Sequence, residues 1–326
     1  MIEAVVSQAF AQIGVGEAFN LEVIVADGAS TDGTRSLVDK LAESCPGLKV
    51  IDNPEMIVST GLNRAIRAAS GDIIVRFDAH SEYAPDYVLE CVRTLTTVDA
   101  ANVGGPARTR TQSWFQRAVS LAYHSWFSVG GARFHDPDFE GYVDTVTYGC
   151  WRRSTLLELG LFDEDLVRNQ DDEHNYRLVL QGLKIWQSPK IRSWYYPRSS
   201  IRTLFKQYFQ YGYWKVFVVR KHGMPASWRH LVPAAAVILG ACLAIAALFS
   251  KKAAVLLIAF VVAYGVLSIG ASLFACRKRS DLILLPVMPI VFATYHASYG
   301  IGFLAGIVDA LVGKRGGRAA MTRLSR

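Results

Sequence analysis

The sequence predicts an α/β domain followed by membrane-length helices, and three observations carry that prediction. Between Leu21 and Phe77 apolar strand-like runs alternate with helical patterns, the signature of a parallel sheet covered on both faces. Two of those runs end in a carboxylate, Asp27 and Asp78, where open α/β sheets place their ligand sites. Residues 231–249 and 253–275 are each about 20 residues of apolar sequence, enough to cross roughly 30 Å of hydrocarbon.

Composition agrees. Apolar residues make up 51% of the 326, with the excess after Leu231. The formal charge is +7, and the basic residues crowd into 198–230, Arg277-Lys278-Arg279 and the tail from Lys314. These clusters flank apolar runs, so the expected partner is anionic lipid and not nucleic acid, for which no motif is present. Five scattered cysteines without a CxxC pair point to reduced thiols and a cytosolic catalytic domain.

Residues 1–12 carry helical spacing at Ile2, Val5, Val6, Ala9 and Phe10. Leu21-Glu22-Val23-Ile24-Val25-Ala26 is a strand stopped by Asp27-Gly28. The glycine there lets a base or ribose approach closely; an Asx-turn that merely ends the strand is the alternative. Ser30, Thr31 and Asp32 are N-cap candidates for a helix from Thr34 to about Glu43. Leu48-Lys49-Val50-Ile51 is the next strand, closed by Asn53-Pro54, and Ser59 or Thr60 would cap a helix ending at Ser70-Gly71.

Residues 72–77 form the next buried strand, and the chain is organised around its end, Ile73-Ile74-Val75-Arg76-Phe77-Asp78-Ala79-His80. If the chain stays extended, Asp78 and His80 point the same way. A carboxylate and one imidazole, with room for phosphate oxygens and water, suit Mg²⁺ or Mn²⁺. A surface turn that happens to hold both residues is the other reading.

Further on, residues 85–96 are a helix, 101–105 a short strand, and 113–129 an aromatic, weakly amphipathic stretch. Residues 130–141 make a polar loop, an acceptor lid or a plain connector. Residues 143–148 are a strand, Gly149-Cys150-Trp151-Arg152-Arg153 a turn, and residues 154–159 a helix closed by Gly160. Residues 171–181 read as a helix that packs Tyr176, Leu178, Val179 and Leu180 inside. Its first turn holds Asp171, Asp172 and Glu173; the macrodipole favours one such acid, but three adjacent acids repel and indicate a functional demand.

Residues 198–222 interleave aromatic and basic side chains, as an interfacial helix does. Residues 282–312 are a third apolar stretch, interrupted by Pro286, Pro289, His296 and glycines, either one tilted span or a re-entrant pair. The positive-inside rule puts the catalytic domain in the cytoplasm of a bacterial-type inner membrane, as a multi-pass protein. A basic cytoplasmic tail requires an even number of crossings, and three apolar stretches leave that number open.

Together the motifs resemble those of the inverting family 2 glycosyltransferases with the GT-A fold, a Rossmann-like mixed sheet with helices on both faces. The matching pieces are Val25-Ala26-Asp27-Gly28-Ala29-Ser30-Thr31-Asp32-Gly33-Thr34, Gly61-Leu62-Asn63, Arg76-Phe77-Asp78-Ala79-His80, Phe162-Asp163-Glu164 and Asn169-Gln170-Asp171-Asp172-Glu173. The DAH form, with a basic aromatic helix before carboxy-terminal spans, looks like the membrane-attached members that build exopolysaccharide repeat units. The resemblance implies a catalytic domain over residues 1–197, an interface helix over 198–229 and a transmembrane region over 230–326. It implies nucleotide contacts at Asp27, Gly28, Asn63 and Asp78, a metal at Asp78 and His80, and Asp171 as general base. It implies a UDP-sugar donor, with glucose as the hexose transferred, and a lipid-linked saccharide acceptor.

Two departures accompany the match. The family's first strand has no counterpart in the residues from Met1 on, which leaves a miscalled start, a trimmed chain or an incomplete nucleotide site. The processive members' QxxRW motif is replaced by Gln207-Tyr208-Phe209-Gln210-Tyr211, which implies transfer of a single sugar. The alternatives are a polyprenyl-phosphate acceptor, which has no hydroxyl for a base to deprotonate, and a non-catalytic membrane component with a degenerate nucleotide site.

Overall fold

The computed structural model describes residues 20–313 and Val6, so the helix expected over residues 1–12 lies otherwise outside the described residues. The chain divides into two units, residues 1–109 with Arg133–Tyr196, and Arg110–Ala132 with Pro197–Arg326. One boundary between the units falls at Tyr196–Pro197. The other was not legible: residues 110–132 join the second unit although catalytic-type sequence flanks them on both sides.

In the first unit β1 (Val23–Asp27) and β2 (Leu48–Asp52) pair in parallel across α1 (Thr34–Ser44). Then follow α2 (Val58–Ala68), β3 (Ile73–Val75), β4 (Ser81–Tyr83), α3 (Tyr87–Thr97) and β5 (Asn102–Gly105). Beyond the excursion into the second unit come β6 (Gly141–Val143), β7 (Thr147–Arg152), α6 (Arg153–Leu159), α7 (Gln170–Leu180), β8 (Ile185–Gln187) and β9 (Ser193–Tyr195). Helices α4 and α5 belong to the excursion and are described below.

Five strands make a mixed sheet in the order β3-β7-β5-β8-β6, in which only β5 and β8 run parallel. This is the mixed sheet that the resemblance implied. Residues 149–152, expected as a turn, belong instead to β7, an interior strand that pairs antiparallel with β3 and β5. Glycine at 149 had suggested the turn. It serves a kink: Tyr148 and Gly149 both take positive φ, 62° and 105°. A Cβ at Gly149 would overlap the Trp151 ring.

Period two then sorts the core. Ile73, Val75, Val103 and Cys150 face α3, packing on Tyr87, Cys91 and Leu95. Ile74, Ala101 and Trp151 face the other way, onto Ile66, Leu156, Phe162 and Leu178. Both faces are thus covered, and a side chain such as Leu95, fully buried, stabilises by about 2 kcal/mol. Glu22 ties β1 to the turn before β3. Its carboxylate accepts from the Ser70 and Gly71 amides at 2.5 and 2.8 Å and from Lys49 Nζ at 3.1 Å.

Several caps differ from expectation. Gly33, at φ 86°, caps α1, while Asp32 takes the Thr34 amide. Ser59 and Thr60 lie inside α2 and send their hydroxyls to Leu166 O and Asn53 Oδ1. On α7, Val179 and Leu180 are exposed, not packed inside.

In the second unit α4 (Trp114–Tyr123) and α5 (Trp126–Val129) are each capped by the preceding serine, Ser113 and Ser125. Four longer helices follow: α8 (Ile201–His222), α9 (Val232–Ala247), α10 (Lys251–Ala275) and α11 (Met288–Leu311). Helix α11 is unbroken. Pro289 sits in its first turn, where the missing N–H costs nothing.

Candidate active site

The strand β3 ends at Val75, two residues short of the expected Phe77, and its three residues are half-buried. The chain then turns: the Ser81 amide donates to Asp78 O at 3.1 Å. Asp78 and His80 are therefore on a turn and not on an extended strand, so period-two spacing no longer relates them. Asp78 is held from below by aromatic side chains. Its amide donates to Tyr83 Oη at 2.5 Å, and Tyr83 stacks among Phe77, Tyr87 and Tyr148. The Tyr148 hydroxyl meets that of Ser81. Burial pushes the Tyr83 phenol well above its ordinary range, so it stays protonated.

Arg76 is the residue that sequence reading passed over. Its side chain is 6% exposed, yet it carries a charge. Nε and Nη2 donate to the two oxygens of Asp78 at 2.8 and 3.1 Å, a bidentate fork. Its Nη1 makes no hydrogen bond but lies 3.8 Å from Asp171 Oδ2. One guanidinium thus joins two carboxylates 93 positions apart in sequence, positions 78 and 171. Burial works against the charge on Arg76, but Asp78 and Asp171 outweigh it and raise its pKa. Burial likewise opposes ionisation of Asp78; Arg76 first, then His80 and Arg168, overcome it and hold the carboxyl below its usual value. The signal that could have found Arg76 was a lone charge between Val75 and Phe77 in an apolar run.

Asp171 occupies the first turn of α7, its side chain 54% exposed, after Asn169 in the left-handed region. The three acids do not share one role. Glu173 is fully buried and ion-paired to Arg177 at 2.9 Å, one helical turn on. Arg177 also donates to Leu159 O and Leu161 O, fixing the turn before α7. Asp171 is the acid that lies against Arg76.

Asp27 ends β1, buried, with its carboxylate accepting from the Ser30 amide at 3.3 Å and 4.0 Å from Arg35 Nη1. Gly28 lies against Met56, and the left-handed residue of this turn is Ala29, at φ 53°. No hydrogen bond or ion pair among the described residues joins Asp27 to Asp78 or Asp171. Asn63, expected as a nucleotide contact, clamps two segments of the fold. It is 1% exposed, accepts from the Phe162 amide at 2.9 Å, and donates to Phe162 O and Glu164 Oε1 at 2.8 Å. That spends its amide on the chain itself. A groove of about 730 Å³ lined by Arg35, Asp52, Arg64 and Glu164 does not include the Asp78–Asp171 pair. Its arginines are matched by Asp52, Glu55 and Glu164.

The donor set limits what ion can bind. Among the described residues no three His, Cys, Asp or Glu side chains converge as a metal cage. One ionised carboxylate and a nearby imidazole fit a hard cation that brings its other ligands as phosphate oxygens and water. They do not fit a structural metal.

The glycosyl transferase family 2 profile matches residues 1–159. The succinoglycan biosynthesis protein ExoA of Rhizobium meliloti is 34% identical over 230 residues, covering 69% of this chain and 70% of that protein. A dolichyl N-acetyl-α-D-glucosaminyl phosphate 3-β-D-2,3-diacetamido-2,3-dideoxy-β-D-glucuronosyltransferase of Methanococcus voltae is 29% identical over 217 residues, 64% of this chain and 67% of its own length. Among solved structures, a mannosyltransferase from Pyrobaculum calidifontis, in complex with GDP-mannose and Mn²⁺, matches with TM-score 0.63 at 21% identity. That alignment spans 94% of this chain and 83% of the mannosyltransferase. The likeness establishes the fold as the mixed α/β GT-A type. With a profile match and a relative of that identity and coverage, the chain belongs to glycosyl transferase family 2.

Proposed function

We propose that this glycosyltransferase moves one hexose, glucose from UDP-glucose, to a lipid-linked saccharide during exopolysaccharide synthesis, with inversion at the anomeric carbon. The observation that carries the reading is the Arg76 bridge between Asp78 and Asp171. It sets an enclosed carboxylate and an accessible one on a single guanidinium. The two relatives support the chemistry class: one takes part in succinoglycan biosynthesis, and the other acts on a dolichyl-linked saccharide.

Each residue then has a task. Asp78, 19% exposed and kept ionised, faces the donor diphosphate together with His80. A bound Mg²⁺ or Mn²⁺ there would neutralise charge developing on the departing diphosphate. Asp171, open to solvent, takes the proton of the acceptor hydroxyl as the new bond forms. Arg76 fixes the interval between them, and its Nη1 has a hydrogen bond left to give. Asp27 and Gly28, at the end of β1, take the nucleoside. A single displacement with the base opposite the leaving group gives a β-linkage from an α-linked donor. The apolar helices of the second unit hold the enzyme at the inner membrane, with the catalytic residues in the cytoplasm.

The test is transfer by the full chain in membranes, using labelled UDP- and GDP-sugars with a lipid extract, followed by product analysis. Metal-dependent transfer of glucose to a lipid-linked saccharide with a β-linkage is the expected result. Transfer that survives Asp171→Asn would instead indicate a polyprenyl-phosphate acceptor. Failure of every nucleotide sugar to react would leave a non-catalytic component.

A further inference from the structure

We infer that only α9 and α10 cross the bilayer, and that α11 lies along its cytoplasmic face, in the lipid interface beside α8. This rests on the membrane-attached reading above and concerns the second unit alone. By length and composition all three helices qualify as spans. Their surroundings differ. The apolar windows of α9 and α10 are each 6% buried, whereas that of α11 is 50% buried.

The contacts of α11 fix its depth. Helices α9 and α10 are joined by three residues, Leu248 to Ser250, so the start of α9 and the end of α10 lie at one end of a hairpin. Helix α11 begins beside the end of α10: Met288 and Phe292 pack with Ala271, Ala275 and Cys276. Half-way along, it rests on the start of α9. A Cβ at Gly300 would come within 2.6 Å of Pro233 O, and Phe303 packs on Ala234. Twenty-four residues would reach about 36 Å along a straight helix, more than a membrane's apolar thickness. A third span of that length would climb toward Leu248 and Phe249 at the far end of the hairpin. Helix α11 instead follows α10 only as far as Tyr264, whose hydroxyl lies 2.9 Å from His296 Nδ1, about level with the start of α9.

Its other neighbour gives the same answer. Helix α11 runs parallel to α8 in close contact, with Tyr295 beside Tyr208, Gly306 beside Tyr213, and Ala310 O accepting from Arg220 at 2.9 Å. At Gly212 and Gly302 the backbones approach so closely that a Cβ would overlap the carbonyl of Tyr299 or Phe209. Helix α8 carries Arg202, Lys206, Lys215, Arg220 and Lys221, a charge load that is costly in a spanning helix. It also ends in the basic stretch that precedes α9, so it starts and finishes on one side. A helix packed along its length shares its plane. Ile290, Ile301 and Val308 remain as an exposed apolar stripe on α11, at 51, 41 and 53%, suited to the acyl chains of one leaflet. Two crossings also return the basic tail to the side of the other cationic clusters, as the positive-inside rule demands.

The test uses the full chain with Cys45 and Cys242 replaced by serine, in sealed vesicles of both orientations, and a membrane-impermeant maleimide. Single cysteines go to four exposed positions: Ser36→Cys in the first unit, Leu248→Cys, Ile283→Cys and Val312→Cys. Ile283→Cys and Val312→Cys are expected to react from the side that labels Ser36→Cys, and Leu248→Cys only from the other. If Val312→Cys labels with Leu248→Cys, α11 is a third crossing and the inference falls, while membrane attachment stands. If Leu248→Cys labels with Ser36→Cys, the hairpin does not cross and both fall.

Discussion

Two arginines, Arg76 buried and Arg177 half-buried, hold the acidic run at the start of α7, and they do so in different ways. Arg177 engages all three of its nitrogens: Nε pairs with Glu173 inside the core, and Nη1 and Nη2 donate to Leu159 O and Leu161 O. Arg76 does not: it forks onto Asp78 but leaves Nη1 without a hydrogen bond, 3.8 Å from a half-exposed Asp171. A charge pair whose nitrogens are all engaged fixes a fold. One that keeps a buried donor in reserve beside an accessible carboxylate is arranged for something that arrives later. The comparison separates Asp171 from Glu173, two positions away, more sharply than sequence spacing did.

The comparison breaks first at Asp78. Asp78→Ala is expected to reduce transfer to background and to weaken UDP binding, because it removes the diphosphate contact and strands the Arg76 charge. Titration of UDP against the variant, with and without Mn²⁺, checks both. Asp171→Asn is expected to lower kcat by about 10²–10⁴ while UDP affinity stays near wild type, since only proton removal is lost. Turnover at the wild-type rate would exclude it as the base.

On the structural side, Arg177→Met takes away the counter-charge that Arg177 gives to buried Glu173. A stability loss of about 3–5 kcal/mol is expected, and adding Glu173→Leu should restore much of it. Thermal unfolding of the detergent-solubilised chain reads both values. Arg76→Lys sharpens the contrast. A lysine cannot fork onto Asp78 and also reach Asp171, so kcat should fall by about 10–100-fold, with little change in unfolding temperature. A loss of stability as large as that of Arg177→Met would make Arg76 another structural pin.

How much of this was legible depends on how local each signal is. Asp27, Asp78 and Asp171 could be read because strand ends and helix starts announce themselves in neighbouring residues. The pairing of Asp78 with Asp171 could be suspected but not placed, because Arg76 joins them through space. Residues 149–152 were misread because a glycine and a run of polar and bulky residues look like a turn when the kink they serve is a cross-sheet matter. The partners of Asn63 within the fold were hidden for a similar reason. Phe162 and Glu164 are about a hundred residues away, and a buried clamp and a ligand contact use the same amide. Helix α11 showed its apolar content in sequence, but what covers half of it is α8, α9 and α4, which no window reveals.

The smallest expected effect compares two carboxylates that are both held below their usual range. Glu22 is drawn down to about 2: burial opposes ionisation, but the amides of Gly71 and Ser70, with Lys49, outweigh it. Asp78 is drawn down by Arg76, against a burial cost of its own. For a carboxylate with a depressed folded pKa, the stabilisation is present above the unfolded value and is lost as the pH falls toward the folded one. Glu22 therefore contributes fully above about pH 4.5 and fades between there and about pH 2. After allowance for solvent screening the amount is about 1–2 kcal/mol. Glu22→Gln should remove that amount at pH 7 and flatten the acid limb of the unfolding curve, with kcat unchanged. Asp78→Asn should do the reverse, abolishing transfer at every pH while moving the acid limb less. If Glu22→Gln impaired transfer as well, the tie between β1 and the turn before β3 would be setting the geometry of Asp78, and fold and site would not be separable there.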